Sequence, residues 1–92
     1  MNNEAITDYE ITPHAAFEMK RRGMSNQVVE QVLINPEQRM DVRSGRIVLQ
    51  SRISMGGQKK TYLVRVFVDV DKNPAQVVTV YRTGKITKYW RE

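Results

Sequence analysis

From residue 62 to residue 82 the chain alternates apolar and polar side chains on both sides of a turn, Asp71-Lys72-Asn73-Pro74, and this stretch constrains the fold more than any other. Period-two alternation belongs to a strand with one buried face, and Asp, Asn and Pro between two such runs mark a reversal. Residues 62–70 and 76–82 are therefore expected to form a hairpin. Pairing Val66 with Val80 and Val68 with Val78 collects Val64, Val66, Val68, Val78 and Val80 on one face. The other face then carries Arg65, Phe67, Thr79 and Tyr81, with Arg65 across from Tyr81 and Phe67 across from Thr79. A slip of one residue would bury Thr79 with the valines, which selects this register.

A valine face of this kind needs a cover, and the first third of the chain supplies one. Thr12 has the chemistry of a helix N-cap, Pro13 suits the first helical position, Lys20, Arg21 and Arg22 fill the last turn, and Gly23 follows. Ser25 caps a second helix from residue 26 to about 34, with an apolar stripe of Val28, Val29, Val32 and Leu33, ended by Asn35-Pro36. Helices this short are marginal alone in water, so both must rest on the strands. Ser44-Gly45 reads as a two-residue hairpin loop that sets Val42 opposite Ile47, Met40 opposite Leu49 and Arg43 opposite Arg46, the last a like-charge pair that an anion would relieve. Residues 54–60, with Gly56-Gly57, read as a loop without the features of a phosphate-binding one, and residues 84–90 as a short closing strand or extended tail. The expectation is an α+β domain over residues 9–92, two N-terminal helices on one face of a four- to five-stranded, mainly antiparallel sheet, with residues 1–8 frayed.

Ninety-two residues, 40% of them hydrophobic and 27% charged, suit one small core. No apolar run approaches the roughly 20 residues of a membrane span, and residues 1–8 lack the basic start and apolar core of a secretory signal, so a cytoplasmic protein is expected. The absence of cysteine and the single histidine remove disulfides, thiol nucleophiles and two-histidine metal motifs. Neither metal nor cofactor is expected. Charge is segregated: residues 1–37 hold six acids and three bases, whereas residues 38–92 hold four acids and twelve bases. An acid-poor basic half is the footprint of a polyanion binder, and nucleic acid is the leading partner class.

Metal-free cleavage of RNA needs a proton-transfer group, cations around the phosphate and a surface that holds a base. His14, in the first turn of the first helix, is the side chain whose ordinary pKa suits proton transfer near neutrality. Tyr81, with Thr79 on its face, offers a hydroxyl for positioning phosphate or moving a proton. Arg46, Arg65, Arg82 and Lys85 are the candidate RNA-binding cations, since guanidinium groups match phosphate oxygens in pairs.

The pattern His14-Ala15, Arg22-Gly23-Met24-Ser25, Asn35-Pro36, Thr79-Val80-Tyr81-Arg82-Thr83, Lys85-Ile86 and Lys88-Tyr89-Trp90 resembles a small prokaryotic domain family grouped with RelE/ParE-type toxins in the barnase, EndoU, colicin and RelE fold. The resemblance spans about residues 10–90. It implies a RelE-like fold, descent from metal-independent endoribonucleases, and a protein antitoxin as partner. It assigns His14, Arg22, Thr79 and Tyr81 as catalytic. Two departures stand out: many members carry arginine where this chain has Glu18, and serine where it has Gly84. Loss of either side chain from the active constellation would leave a catalytically inactive RNA- or protein-binding module of the same fold. RNA, in free or ribosome-associated form, is the expected partner. A homodimer through an open sheet edge is the alternative assembly.

Overall fold

The computed structural model describes residues 5–57 and 59–92. Its elements run β1 (Tyr9–Ile11), α1 (Pro13–Arg21), α2 (Asn26–Ile34), β2 (Gln38–Arg43), β3 (Arg46–Met55), β4 (Lys60–Asp69), β5 (Ala75–Thr83) and α3 (Ile86–Tyr89). The chain is α+β with a five-stranded mixed sheet in the order β1-β5-β4-β3-β2. The β1 strand runs parallel to β5, and the remaining pairs are antiparallel.

The first corner is built by its caps. The Thr12 hydroxyl accepts from the Ala15 N–H at 3.2 Å, and Pro13 occupies the first turn, where a missing N–H costs nothing. At the other end Gly23 adopts φ +67°. Its N–H donates to the Lys20 carbonyl while Met24 N–H reaches back to Met19 at 2.8 Å. These are the two bonds of a Schellman motif, and the hydrophobic contact that accompanies it falls to Met19 and Met24, both buried. One residue later the Ser25 hydroxyl accepts from Val28 N–H and starts α2.

Ala15, Met19 and Met24 join Val29, Val32 and Leu33 in one core cluster with Ile47, Leu49 and Ile53 of β3, Val64, Val66 and Val68 of β4, and Val77 and Val80 of β5. Removing each valine, leucine, isoleucine or methionine side chain of this cluster from water contributes about 1.5–3 kcal/mol. Val48 and Leu63 are equally buried but lie outside this cluster, at positions of opposite parity in their strands. The sheet therefore has a helix-covered face and a second face, on which Gln50, Arg65, Phe67, Thr79 and Tyr81 alternate with the core residues.

The register holds at the centre and shifts at two bulges. Val66 pairs with Val80, Arg65 with Tyr81 and Phe67 with Thr79, as the alternation requires. Val68 then pairs with Val77 rather than Val78, leaving Val78 as an extra residue. The bulge lets Val77 and Val80, three apart, both point into the core, which strict alternation forbids. The hairpin at Ser44-Gly45 does place Arg43 opposite Arg46, yet beyond it Asp41 faces Ile47 and Met40 faces Val48. Val42 is the bulged residue there and is exposed.

Three other expectations are corrected or refined. Residues 86–89 form a helical turn, neither a strand nor an extended tail. Ser54 and Met55, expected in a loop, complete β3 opposite Thr61 and Lys60; Gln58 of that loop lies outside the described residues. Of the segment expected to fray, residues 1–4 lie outside the described residues, while Ile6 donates its N–H to the Leu33 carbonyl at 2.8 Å and packs against the core. No helix among the described residues is long and apolar enough to cross a membrane.

Candidate nucleic-acid interface

The second face, part of which Tyr89 and Trp90 of the C-terminal segment cover, is organised around Arg65. Its Nε donates to Gln50 Oε1 at 2.8 Å and its Nη1 to the Tyr81 hydroxyl at 2.6 Å. Gln50 is fully buried, and its amide is spent on Gln38 Oε1 at 2.7 Å and the Tyr89 carbonyl at 3.1 Å. Buried amides left unpaired cost about 1–3 kcal/mol. This one has every partner it needs, so it holds Arg65 in one orientation instead of competing with it. The guanidinium carbon also lies 4.4 Å from the centroid of the Tyr89 ring and 5.4 Å from that of Phe67. Tyr81 stacks on Phe67 with centroids 6.0 Å apart and meets Tyr89 edge-on at 6.4 Å.

Among the described residues no carboxylate pairs with Arg65. A half-buried guanidinium held by an amide, a phenol and aromatic rings keeps its charge uncompensated, and two of its five N–H groups are engaged. Tyr81 accepts from Arg65, so its own hydroxyl proton is directed elsewhere. Together the two present a cation and a neutral donor to one acceptor group, with aromatic surface alongside, which is the chemistry that phosphate and an adjoining base require.

The C-terminal segment borders this site. Arg91 N–H donates to Gln38 Oε1 at 3.1 Å and its carbonyl accepts from Gln38 Nε2. Arg52 lies 4.0 Å from the Trp90 ring centroid and forms an ion pair with Glu37.

The other expected site residues are dispersed. Thr79 lies beside Tyr81 on the same face, opposite Phe67. His14 is exposed on α1, in the layer that covers the opposite face, and makes no hydrogen bond, ion pair or ring contact among the described residues. Arg22 donates its Nε to Glu18 Oε1 at 2.8 Å, and Arg21 donates to the same oxygen at 2.8 Å. The hydrogen bonds from Arg22 and then Arg21 hold the Glu18 carboxyl below its ordinary pKa. Glu18 thus turns a cationic helix end into an internally paired one.

Arg46 is engaged as well: its Nη2 reaches Asp69 Oδ2 at 3.1 Å and its Nε the other oxygen, a bidentate pair. Asp69, whose pKa is lowered chiefly by that hydrogen bond, is the anion that relieves the Arg43–Arg46 juxtaposition. Arg82 points to the helix-side face, opposite Val64, with Nη1 3.1 Å from Met55 Sδ and its guanidinium 4.7 Å from the Tyr62 ring centroid. Lys85 is exposed just before α3.

Gln50 and Tyr89 were not foreseen as partners of Arg65. A polar amide closing the run Ile47-Val48-Leu49 inside a strand was the available signal for the first; a tyrosine folded back from a helical turn left none. Among the described residues no group of three His, Cys, Asp or Glu side chains is placed to hold a metal ion.

A family model for a domain of unknown function, DUF4258, matches residues 11–82, and the chain belongs to that family. Neither the curated proteins nor the solved structures yield a match.

Proposed function

We propose that this member of the DUF4258 family is an RNA-binding domain of RelE-like architecture that takes single-stranded RNA at the Arg65–Tyr81 site, on the sheet face opposite α1 and α2. The observation that carries this is the Arg65–Tyr81 pair, a guanidinium without a carboxylate partner donating at 2.6 Å to a phenol whose own proton remains available. Arg65 supplies charge and in-plane donors to a phosphate, Tyr81 adds a second donor, and Phe67 and Tyr89 offer rings on which a base stacks. The net charge of +5, concentrated after residue 37, draws the polyanion in. Two N-terminal helices sharing a core with the antiparallel strands support the RelE-like assignment.

The second reading is a metal-independent endoribonuclease, favoured by the same Tyr81 hydroxyl beside a cation that would neutralise charge developing on phosphate. In that reaction the RNA's own 2′-hydroxyl attacks the adjacent phosphorus, the 5′-oxygen leaves, and a 2′,3′-cyclic phosphate forms. Attack and departure need a proton acceptor and a proton donor. His14 stands on α1, on the other side of the sheet from Tyr81, so the pair does not form one acid–base couple across a scissile bond. This separation, together with the pairing of Arg22 and Arg46 to carboxylates, favours binding over cleavage. An antitoxin covering the basic face, a ribosome-associated substrate and a cytoplasmic location belong to the toxin-like version of this proposal.

Incubation of the protein with mixed RNA in EDTA, followed by end-group analysis and a filter-binding measurement, separates the readings. RNA retained and intact is the expected result. Cyclic-phosphate ends that disappear in Tyr81→Phe would move the conclusion to the nuclease, and RNA neither retained nor cut would overturn both.

A further inference from the structure

At one end of the sheet, where β3 and β5 finish and β4 begins, Lys60, Tyr62 and Arg82 come together on the helix-side face. Lys60 Nζ is 5.5 Å and the Arg82 guanidinium 4.7 Å from the centroid of the half-buried Tyr62 ring. No carboxylate occurs between residues 42 and 68 or between 72 and 91, so this end carries cations and no side-chain anion from its own strands. The opposite end of the same sheet is different: there Asp69 pairs with Arg46 and Asp71 with Lys72. Basic charge is thus polarised along the strands.

Tyr81 and Arg82 are consecutive, so the Arg65–Tyr81 site and this cluster lie back to back at neighbouring rungs, Arg65↔Tyr81 and Val64↔Arg82. The way round from one face to the other passes Thr83, Gly84 and Lys85. Gly84 contributes no side chain, and a Cβ there would already touch Lys60 Nζ at 3.6 Å, so glycine leaves that ammonium open to an approaching anion.

We infer that Lys60, Tyr62 and Arg82 form a second subsite for single-stranded RNA, which binds a neighbouring phosphate and base after the strand rounds the sheet end at Gly84. The inference rests on the RNA-binding proposal above and adds residues to it. Lys60 and Arg82 neutralise phosphate, and the Tyr62 ring together with the Arg82 guanidinium gives a base a stacking surface. A strand long enough to turn the end engages both subsites, whereas a very short one fills the Arg65–Tyr81 site alone.

The test measures oligouridylates of four and ten nucleotides by fluorescence anisotropy over a salt series, with the full chain and its Lys60→Gln/Arg82→Gln and Tyr62→Leu variants, each checked for an unchanged thermal midpoint. The expected result is a decamer affinity about tenfold weaker in the double variant, with a salt slope shallower by roughly 0.7 for the one phosphate no longer neutralised. Tetramer affinity stays within twofold, and Tyr62→Leu weakens the decamer severalfold. Unchanged decamer binding by both variants would overturn the second subsite while leaving the first intact. Wild-type protein that binds neither oligonucleotide at low salt would overturn the RNA proposal itself, and the subsite with it.

Discussion

Arg65 and Tyr81 face one another across the antiparallel pair β4 and β5, and the guanidinium donates to the phenol oxygen at 2.6 Å. The register that makes them neighbours is the one that buries Val64, Val66 and Val80 on the other side of the sheet. A shift by one residue would lose the core and the candidate site together. The same hydrophobic constraint that fixes the fold therefore positions the chemistry.

Removing the phenol hydroxyl isolates its contribution. Tyr81→Phe keeps the stacking on Phe67 and loses one donor, so RNA affinity should fall about three- to tenfold, the equivalent of one hydrogen bond. The thermal midpoint should move little. An unchanged affinity in a direct titration would show that the hydroxyl does not touch RNA.

His14 provides the opposite control. It is exposed on the helix layer, on the other side of the sheet from Arg65 and Tyr81, so His14→Ala should leave RNA affinity within twofold. A loss as large as that of Tyr81→Phe would relocate the interface to α1.

Acid should destabilise the fold in a defined window. Glu18, Glu37 and Asp69 all have pKa values lowered mainly by hydrogen bonds from arginine. A carboxyl whose folded pKa is depressed binds fewer protons folded than unfolded. Its contribution is complete above the unfolded pKa, near 4, and disappears as pH falls through the lower folded value. Melting temperatures should hold from pH 7 to about pH 5 and then fall, with a shallower fall in Asp69→Asn. Equal acid sensitivity in that variant would show that the Arg46 pair contributes nothing to the effect.

Gly45 is the glycine least open to substitution. Its φ is +83°, and a Cβ there would meet Asp71 Oδ2 at 2.5 Å. The backbone term alone costs an alanine about 1–2 kcal/mol, which for a domain of this size lowers the melting temperature by roughly 4–16 °C. Combining Gly45→Ala with Asp71→Ala should recover the steric part and leave the backbone part. Full recovery would mean that the left-handed conformation carries no penalty.

Much of this was legible in the sequence because it follows from local rules. Thr12-Pro13, Gly23, Ser25 and Asn35-Pro36 delimit both helices through capping chemistry, and valine alternation fixes the central register. Bulges at Val42 and Val78 were not legible, since an extra residue is inserted to satisfy burial on a face whose partners are distant in sequence. The three-residue β1 and the folded-back Tyr89 escaped for the same reason, being too short to carry a period. The candidate site was legible only in half: Arg65, Thr79 and Tyr81 share a face by parity, whereas His14, Arg22, Arg46 and Arg82 have their settings decided by which layer or carboxylate they meet.

The most direct test of the central claim is a titration of labelled single-stranded RNA with the wild-type protein and with Arg65→Met, in EDTA and over a range of salt. The account predicts salt-dependent binding by the wild type and a loss of tenfold or more in Arg65→Met with the fold retained. Equal affinity of the two proteins for RNA would contradict it.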